Sequence, residues 1–352
     1  MQLAASDDVL IRREGRAGRI TLNRPKALNA LTYGMVGPIR DALTAWTSDP
    51  AVELVLIDGA GERGLCAGGD VRSLYESRIE GSGLARAFWR DEYRLNALIA
   101  AYPKPYVALQ DGIVMGGGIG LSSHGSHRIV TERSQLAMPE TGIGLIPDVG
   151  GTWLLANAPG ETGIYLGLTG EMMRAADAIY ARFSDALVPA ARLPELISRL
   201  IDPRGGVIGE AIRALAEVPG ASELQRRRGM IDQAFAGDGI AAIDTALASI
   251  GDDWAAATLA KLKPKSPKAL RLTLAAIRQA RRLPSLEDAL KMEYRLTVRL
   301  FEDGEFPEGI RALLIDKDRT PKWSREPASP EFVQRYLAPL APGDELAFAT
   351  PS

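Results

Sequence analysis

The chain has one cysteine, Cys66, and two histidines, His124 and His127, among 352 residues. A single thiol cannot form an intramolecular disulfide, and it suits a reducing compartment. So few soft donors make a His/Cys metal centre an unsuitable reading, and no metal is expected. Aromatic residues make up only 6%. The five tryptophans are scattered, which leaves no stacking ladder for single-stranded nucleic acid. A formal net charge of -2 gives no electrostatic case for a nucleic-acid or membrane-surface partner. No run of about 18 apolar residues occurs, so no transmembrane helix is expected. The stretch "MQLAASDDVLIRREGRAG" lacks a long apolar core after a basic start, unlike a secretory signal. These absences together make the cytoplasm the default location.

What is present is an ordinary globular composition, 46% hydrophobic and 24% charged. The length exceeds the ~250–300 residues at which one core stops growing. "VLIRREGRAGRITLNRP" reads as two strands joined by a glycine turn and ended by Pro25. "TYGMVGPIRDALTAWTSDP" has helical apolar spacing through Met35, Ile39, Leu43 and Trp46. "VELVLIDGAG" is a buried strand, and a helix follows around Ala85 to Ala101. "PYVALQDGIVMGGG" reads as a strand, followed by "HRIVTERSQLAMPE". The alternation indicates a layered α/β fold. After about Leu187 the segments are helical with almost no strand signal. The expected division is a core over 1–190, a helical region over 191–340 and a loose tail over 341–352. "KLKPKSPK" (Lys261 to Lys268), broken by prolines, reads as a solvated loop.

Two glycine clusters, "LCAGGDVRSL" and "GIVMGGGIGL", each follow a strand and lead towards a helix. Glycine lets backbone N–H groups approach a ligand with no Cβ in the way. Neither cluster supplies G-x-G-x-x-G or a P-loop, and "GLSSHG" is no nucleophile elbow. Two separate N–H donors remain, the arrangement of an oxyanion hole. Further along, "MPETGIGLIPDVGG" places Glu140 and Asp148 among small, apolar and turn-forming residues, with no Lys or Arg in the segment. Taken alone, both acids could be helix-start residues favoured by the macrodipole. Cys66 reads as a small buried hydrophobe, and the histidines as surface or turn residues.

In this order and spacing, "ITLNRPKALNALT", "LCAGGDVRSL", "GGGIGL" and "MPETGIGLIPDVGGTWLL" resemble the enoyl-CoA hydratase/isomerase (crotonase) superfamily. Together with "MEYRL" and "EGIRALLIDKDRTPKW", they resemble a hydrolase branch of it that acts on 3-hydroxyisobutyryl-CoA in valine breakdown. The resemblance implies a crotonase-like ββα spiral core with an enlarged helical C-terminal region covering the acyl pocket. It puts the oxyanion N–H groups on Gly69 and Gly117. It lines coenzyme A with Lys26, Ala27, Leu28, Ala67 and Asp70. Glu140 matches an acid shared with hydratases, Asp148 one typical of the hydrolase, and Glu92 a further active-site carboxylate. Hydratases carry a second glutamate where this chain has Gly120, so paired acid–base addition of water to a double bond lacks its partner.

The implied activity is thioester hydrolysis of a short β-hydroxyacyl-CoA. Coenzyme A is then part of the substrate, and no separate cofactor is called for. A carboxylate can serve as general base for water or attack the carbonyl itself. Glu140 is assigned that part, with Asp148 orienting the substrate hydroxyl or water, and which acid is base stays open. The rivals are an enoyl-CoA hydratase/isomerase of broader specificity and a non-catalytic acyl-CoA-binding protein. Relatives of this kind form homo-trimers or hexamers, and no interface stripe stands out in the sequence.

Overall fold

The hairpin expected at the start forms as β1 (Val9–Glu14) and β2 (Ala17–Leu22), antiparallel, with Gly15 at φ 57 between them. A Cβ on Gly15 would run into the Ile201 carbonyl, so the turn needs glycine for space as well as for backbone angle. The computed structural model describes residues 7–324 and 330–348. The first six residues of the stretch read for a secretory signal, and the last four of the expected tail, lie outside them.

Six of the next seven strands come in pairs: β3 (Leu54–Gly59) with β4 (Gly64–Cys66), β5 (Tyr106–Gln110) with β6 (Ile113–Met115), and β7 (His127–Val130) with β8 (Gln135–Ala137). The last is β9 (Ala186–Leu187). The first member of each pair extends one sheet, ordered β1-β2-β3-β5-β7-β9 and parallel from β2 onward. The second members form a separate parallel sheet, β4-β6-β8. A helix or helical turn follows each pair: Val71–Glu80 after β4, Gly117–Ser122 after β6, and the 3-10 turn Glu140–Ile143 after β8. The repeating strand–strand–helix unit therefore advances both sheets one strand at a time.

This pattern splits the stretch expected as a single strand, and it divides the stretch that follows it as well. "PYVALQDGIVM" becomes β5 and β6 in different sheets, because Gly112 turns the chain at φ 65 with Gly64 packed against it. "HRIVTERSQLA" becomes β7 and β8, joined by a turn in which the Ser134 hydroxyl accepts from Thr131 N–H at 2.7 Å. β3 and β5 are almost wholly buried, as parallel strands covered on both faces must be. Asp58, the acid inside β3, is met by Arg19 at 2.5 Å and the Thr21 hydroxyl at 2.6 Å, both from β2.

By Cα proximity the chain forms two units. The first takes the described residues up to Asp70 with Arg94–Ala137 and Met172–Glu223, and holds both sheets. One face of the larger sheet contributes Leu54, Leu56, Val107, Leu109 and Ile129 to a core closed by Leu193, Leu196 and Leu200 of the Leu193–Ile201 helix. On β2, Gly18 leaves room for the Trp46 ring, which a Cβ there would overlap at 2.5 Å.

The second unit takes Val71–Tyr93, Met138–Glu171 and the described residues from Leu224 onward, and is helical. As the sequence suggested, no strand follows Leu187 among the described residues. Side chains cap its longer helices: Asp252 accepts from Ala255 N–H, Ser266 from Ala269 N–H and Ser285 from Asp288 N–H. "KLKPKSPK" is not a solvated loop. It ends the Asp253–Leu262 helix and, through Ser266 and Pro267, begins the Pro267–Ala280 helix. Pro267 at the first helical position costs no hydrogen bond, because that N–H has no partner in a helix anyway. Lys268 is consequently buried against Asp303, 2.8 Å away. Near the chain's end Leu346 is buried and Glu345 accepts from Arg295 at 3.0 Å. No helix among the described residues is long and apolar enough to cross a membrane.

Candidate active site

In the first unit the two glycine clusters leave the C-terminal ends of neighbouring parallel strands, β4 and β6. Gly68 has φ 111 and Gly116 φ 45, so each cluster turns through a conformation open to glycine. Gly118 packs on Cys66, where a Cβ would lie 2.4 Å from the Cys66 carbonyl oxygen. This close approach explains Cys66 itself, which is fully buried with its Sγ 3.4 Å from the Gly68 carbonyl oxygen. Neither the Gly69 nor the Gly117 N–H donates to another group among the described residues. Gly117 opens the Gly117–Ser122 helix, where first-turn N–H groups have no partner within the helix.

Lys26, Ala27 and Leu28 lie in and just beyond a 3-10 turn that Leu28 and Asn29 close in the left-handed region. The Asn29 side chain anchors the turn, donating to the Ala60 and Gly64 carbonyls at 3.0 and 2.9 Å. Ala67 N–H donates to the Leu28 carbonyl at 3.0 Å, and Asp70 N–H to the Leu31 carbonyl at 2.8 Å. Asp70 also takes Arg24 at 3.1 Å. The two segments assigned to coenzyme A are thus tied side by side, with Lys26 and Ala27 exposed.

The acids Glu92, Glu140 and Asp148 all belong to the second unit, and all three are buried. Asp148 accepts from the Tyr93 hydroxyl at 2.7 Å. Glu92 Oε1 and Glu140 Oε2 meet no hydrogen-bond partner among the described residues. Glu140 does open a 3-10 turn, as a helix-start acid would. A solvated N-terminal acid, however, has no cause to bury its carboxyl without a partner.

Burial pushes the Glu92 and Glu140 carboxyls well above the ordinary range, and the nearby Asp148 charge adds to both. Burial also lifts Asp148, to about 6, against the Tyr93 hydrogen bond that favours its charged form. The cluster therefore loses its first proton most readily at Asp148. One ionised and one protonated carboxyl near neutral pH is the state that general acid–base work requires.

Four further residues of this site were not singled out as site residues from sequence. Tyr93 joins Asp148 to Thr297, whose Oγ1 lies 3.1 Å from its hydroxyl, and stacks edge-on with Tyr294. Glu293 is fully buried and accepts from Gly150 N–H at 2.7 Å, Thr152 N–H at 2.8 Å and the Thr152 hydroxyl at 2.5 Å. Burial raises Glu293 to about 8, while these donors pull the other way. Its signal was an acid standing in the apolar stripe Leu286, Ala289, Leu290, Leu296, Leu300. Lys265 donates to the Thr141 hydroxyl at 3.0 Å, next to Glu140. Burial lowers Lys265 to about 8, opposed by the attraction of Glu140 and Glu171. The same unit holds a cavity of about 1040 Å³ lined by Ile240, Leu259, Leu262, Leu274 and Lys265, and none of the three acids reaches it.

A family model described as enoyl-CoA hydratase/isomerase matches residues 17–337. The mitochondrial 3-hydroxyisobutyryl-CoA hydrolase of Danio rerio is 40% identical over 97% of this chain and 92% of its own length. The Homo sapiens protein of that name is 38% identical over 91% and 84%. Among solved structures, an enoyl-CoA hydratase from Rhodobacter sphaeroides 2.4.1 superposes with TM-score 0.91 at 47% identity, covering 97% of this chain and all of its own. A carnitinyl-CoA dehydratase from Mycobacterium thermoresistibile gives 0.92 at 46%, covering 97% and 99%. The expected crotonase-like α/β fold is therefore the fold of this chain. The expected cytoplasmic location is corrected by the same comparison, since these hydrolase relatives are named mitochondrial. A reducing-compartment cysteine pattern and the lack of an apolar span do not separate cytosol from matrix, so those absences could not carry the inference. The chain belongs to the enoyl-CoA hydratase/isomerase family.

Proposed function

We propose that this protein hydrolyses a short β-hydroxyacyl-CoA, 3-hydroxyisobutyryl-CoA in the first instance, to the free acid and coenzyme A. It is an acyl-CoA thioester hydrolase, as its relatives over nearly the whole chain are named. The observation that carries the chemistry is the buried, cation-poor carboxyl set of Glu92, Glu140 and Asp148, in which Glu140 keeps an oxygen without a partner.

In this reading the Gly69 and Gly117 N–H groups stabilise the negative charge that develops on the thioester oxygen, each worth about 3–4 kcal/mol. Glu140 works in its ionised form, which burial and the Asp148 charge make the minor one. That form takes a proton from water as the water oxygen adds to the carbonyl, or adds directly to give an anhydride that water then opens. Asp148, held charged by Tyr93, orients the substrate hydroxyl or the water, and Glu92 receives the polar end of the acyl group. The C–S bond breaks, and the proton gained by the carboxyl set passes to the coenzyme A sulfur. Lys26 to Leu28 and Ala67 to Asp70 bind the coenzyme A portion. Coenzyme A enters as part of the substrate, with no separate cofactor, and a homo-trimer or hexamer is the assembly the family resemblance suggests.

A second reading, hydration of an enoyl-CoA, has the names of the structural relatives in its favour. Gly120, where hydratases of this superfamily carry a second glutamate, stands against it. A thiol-release assay on 3-hydroxyisobutyryl-CoA run beside crotonyl-CoA hydration separates the two. Thiol release dominates, and Glu140→Gln and Asp148→Asn each lower it by about 10²–10⁴-fold. Near-normal turnover in both variants would remove the assignment.

A further inference from the structure

The segment carrying Asp148 is held in a conformation that its own sequence does not favour. Val149 has φ 53 and Gly150 φ 78, so two consecutive residues lie in the left-handed region. Glycine accepts this freely. A β-branched side chain meets its own backbone there, and such a conformation persists only where its surroundings enforce it. Val149 is buried, and the turn closes with Gly151 N–H donating to the Asp148 carbonyl at 2.6 Å.

The enforcement from outside comes from the Leu286–Glu302 helix. The two Glu293 carboxyl oxygens accept from Gly150 N–H, Thr152 N–H and the Thr152 hydroxyl, at 2.7, 2.8 and 2.5 Å. Both N–H groups sit at the start of the short Gly151–Ala156 helix, where the helix itself offers no acceptor. One helical turn on, Thr297 meets Tyr93, whose hydroxyl donates to Asp148. One face of this helix therefore holds residues 150–152 directly and Asp148 through Tyr93.

We propose that Glu293 is a positioning residue for the hydrolysis: it locks the strained turn after Asp148, so that the Asp148 carboxylate keeps its bond to Tyr93 and its orientation. The inference rests on the reading of Asp148 as a working carboxylate. A purely architectural cap would make the same hydrogen bonds, but the two roles differ in the folded enzyme. Loss of a cap lowers stability and the yield of active protein. Loss of positioning lowers kcat per folded site and leaves KM alone, because the coenzyme A contacts are untouched.

Glu293→Gln keeps the side chain's size and one acceptor oxygen, but its NH₂ group faces donors and cannot accept from them. Thr152→Val removes only the hydroxyl at nearly constant shape, and Thr152→Ser restores it. Each purified variant, with its fold checked by circular dichroism, is assayed for thiol release from 3-hydroxyisobutyryl-CoA. Glu293→Gln lowers kcat by about 10–100-fold with KM unchanged, as expected for a group displaced by a fraction of an ångström. Thr152→Val loses less, and Thr152→Ser turns over like the parent. A folded Glu293→Gln enzyme with the parent's kcat, or with a change in KM alone, overturns the proposal. If Glu293→Gln does not fold, equal kcat for Thr152→Val and Thr152→Ser overturns it instead. Absence of thiol release by the parent enzyme would defeat the hydrolase reading itself, which is a separate outcome.

Discussion

Replacing Tyr93 by Phe removes one oxygen from a fully buried ring and leaves its packing on Tyr294 in place. The lost group is the hydroxyl that donates to Asp148 at 2.7 Å. A hydrogen bond to a charged acceptor contributes about 1.5–3 kcal/mol. At about 1.4 kcal/mol per pH unit, its loss raises the proton affinity of Asp148 by roughly one to two pH units. Asp148 already stands at about 6, so in the variant half or more of it is protonated at pH 7. The assay is kcat/KM for thiol release against pH. Its acid-side inflection, a property of the carboxyl set as a whole, moves upward by that amount, and activity returns in part at alkaline pH. Stability follows the same sign. The folded-state pKa of Asp148 lies above its ordinary 3.8, so its contribution is fully favourable below that value and is lost as pH rises through about 6. The variant is therefore less stable than the parent at pH 8 and nearly equal to it at pH 5. An unmoved inflection, or a loss of activity identical at every pH, would refute the reasoning.

Lys265→Met removes the cation that opposes protonation of Glu140. The acid-side inflection should shift upward, with the activity deficit at pH 7 larger than at pH 8; a deficit independent of pH would count against it. Gly118→Ala drives a methyl group to 2.4 Å from the Cys66 carbonyl oxygen. Forcing the two glycine clusters apart should cost about 1–3 kcal/mol in denaturant unfolding, together with a fall in kcat, and a variant of parental stability would be unexpected. Lys268→Met leaves Glu305 buried without its cation, though with the Ser266 and Ser324 hydroxyls still donating. The expected loss is about 3 kcal/mol, the low end for a broken buried pair because Asp303 is partly exposed. Thermal unfolding measures it, and kcat of the folded fraction should be unchanged.

How much of this was legible in the sequence can be traced residue by residue. Strands such as Leu54–Gly59 and Tyr106–Gln110 announce themselves as apolar runs, since both faces of a parallel strand are covered. The glycines at 68 and 116 mark turns that only glycine makes freely. Glu140 and Asp148 were visible as acids in a segment built to be buried, and both are buried. The misreadings share one cause. "KLKPKSPK" looks like a wet loop when its lysines are counted as charges, and Ser266 with Pro267 is a helix start only if the capping geometry forms. Gly112 split an apparent single strand because a bend is set by what packs against it.

The sequence by itself determined the first hairpin, the buried runs that become β3 and β5, and the turns at Gly68 and Gly116. Each of these depends on local periodicity or on the steric freedom of single residues. The tertiary structure alone decided which acid holds its charge. That depends on Tyr93 meeting Asp148 from 55 residues away, Glu293 meeting Thr152 from 141, and Lys265 meeting Thr141 from 124. Proton affinity in a buried site is set by burial and by neighbours within hydrogen-bonding reach. Chain connectivity does not reveal those neighbours until the helices have packed.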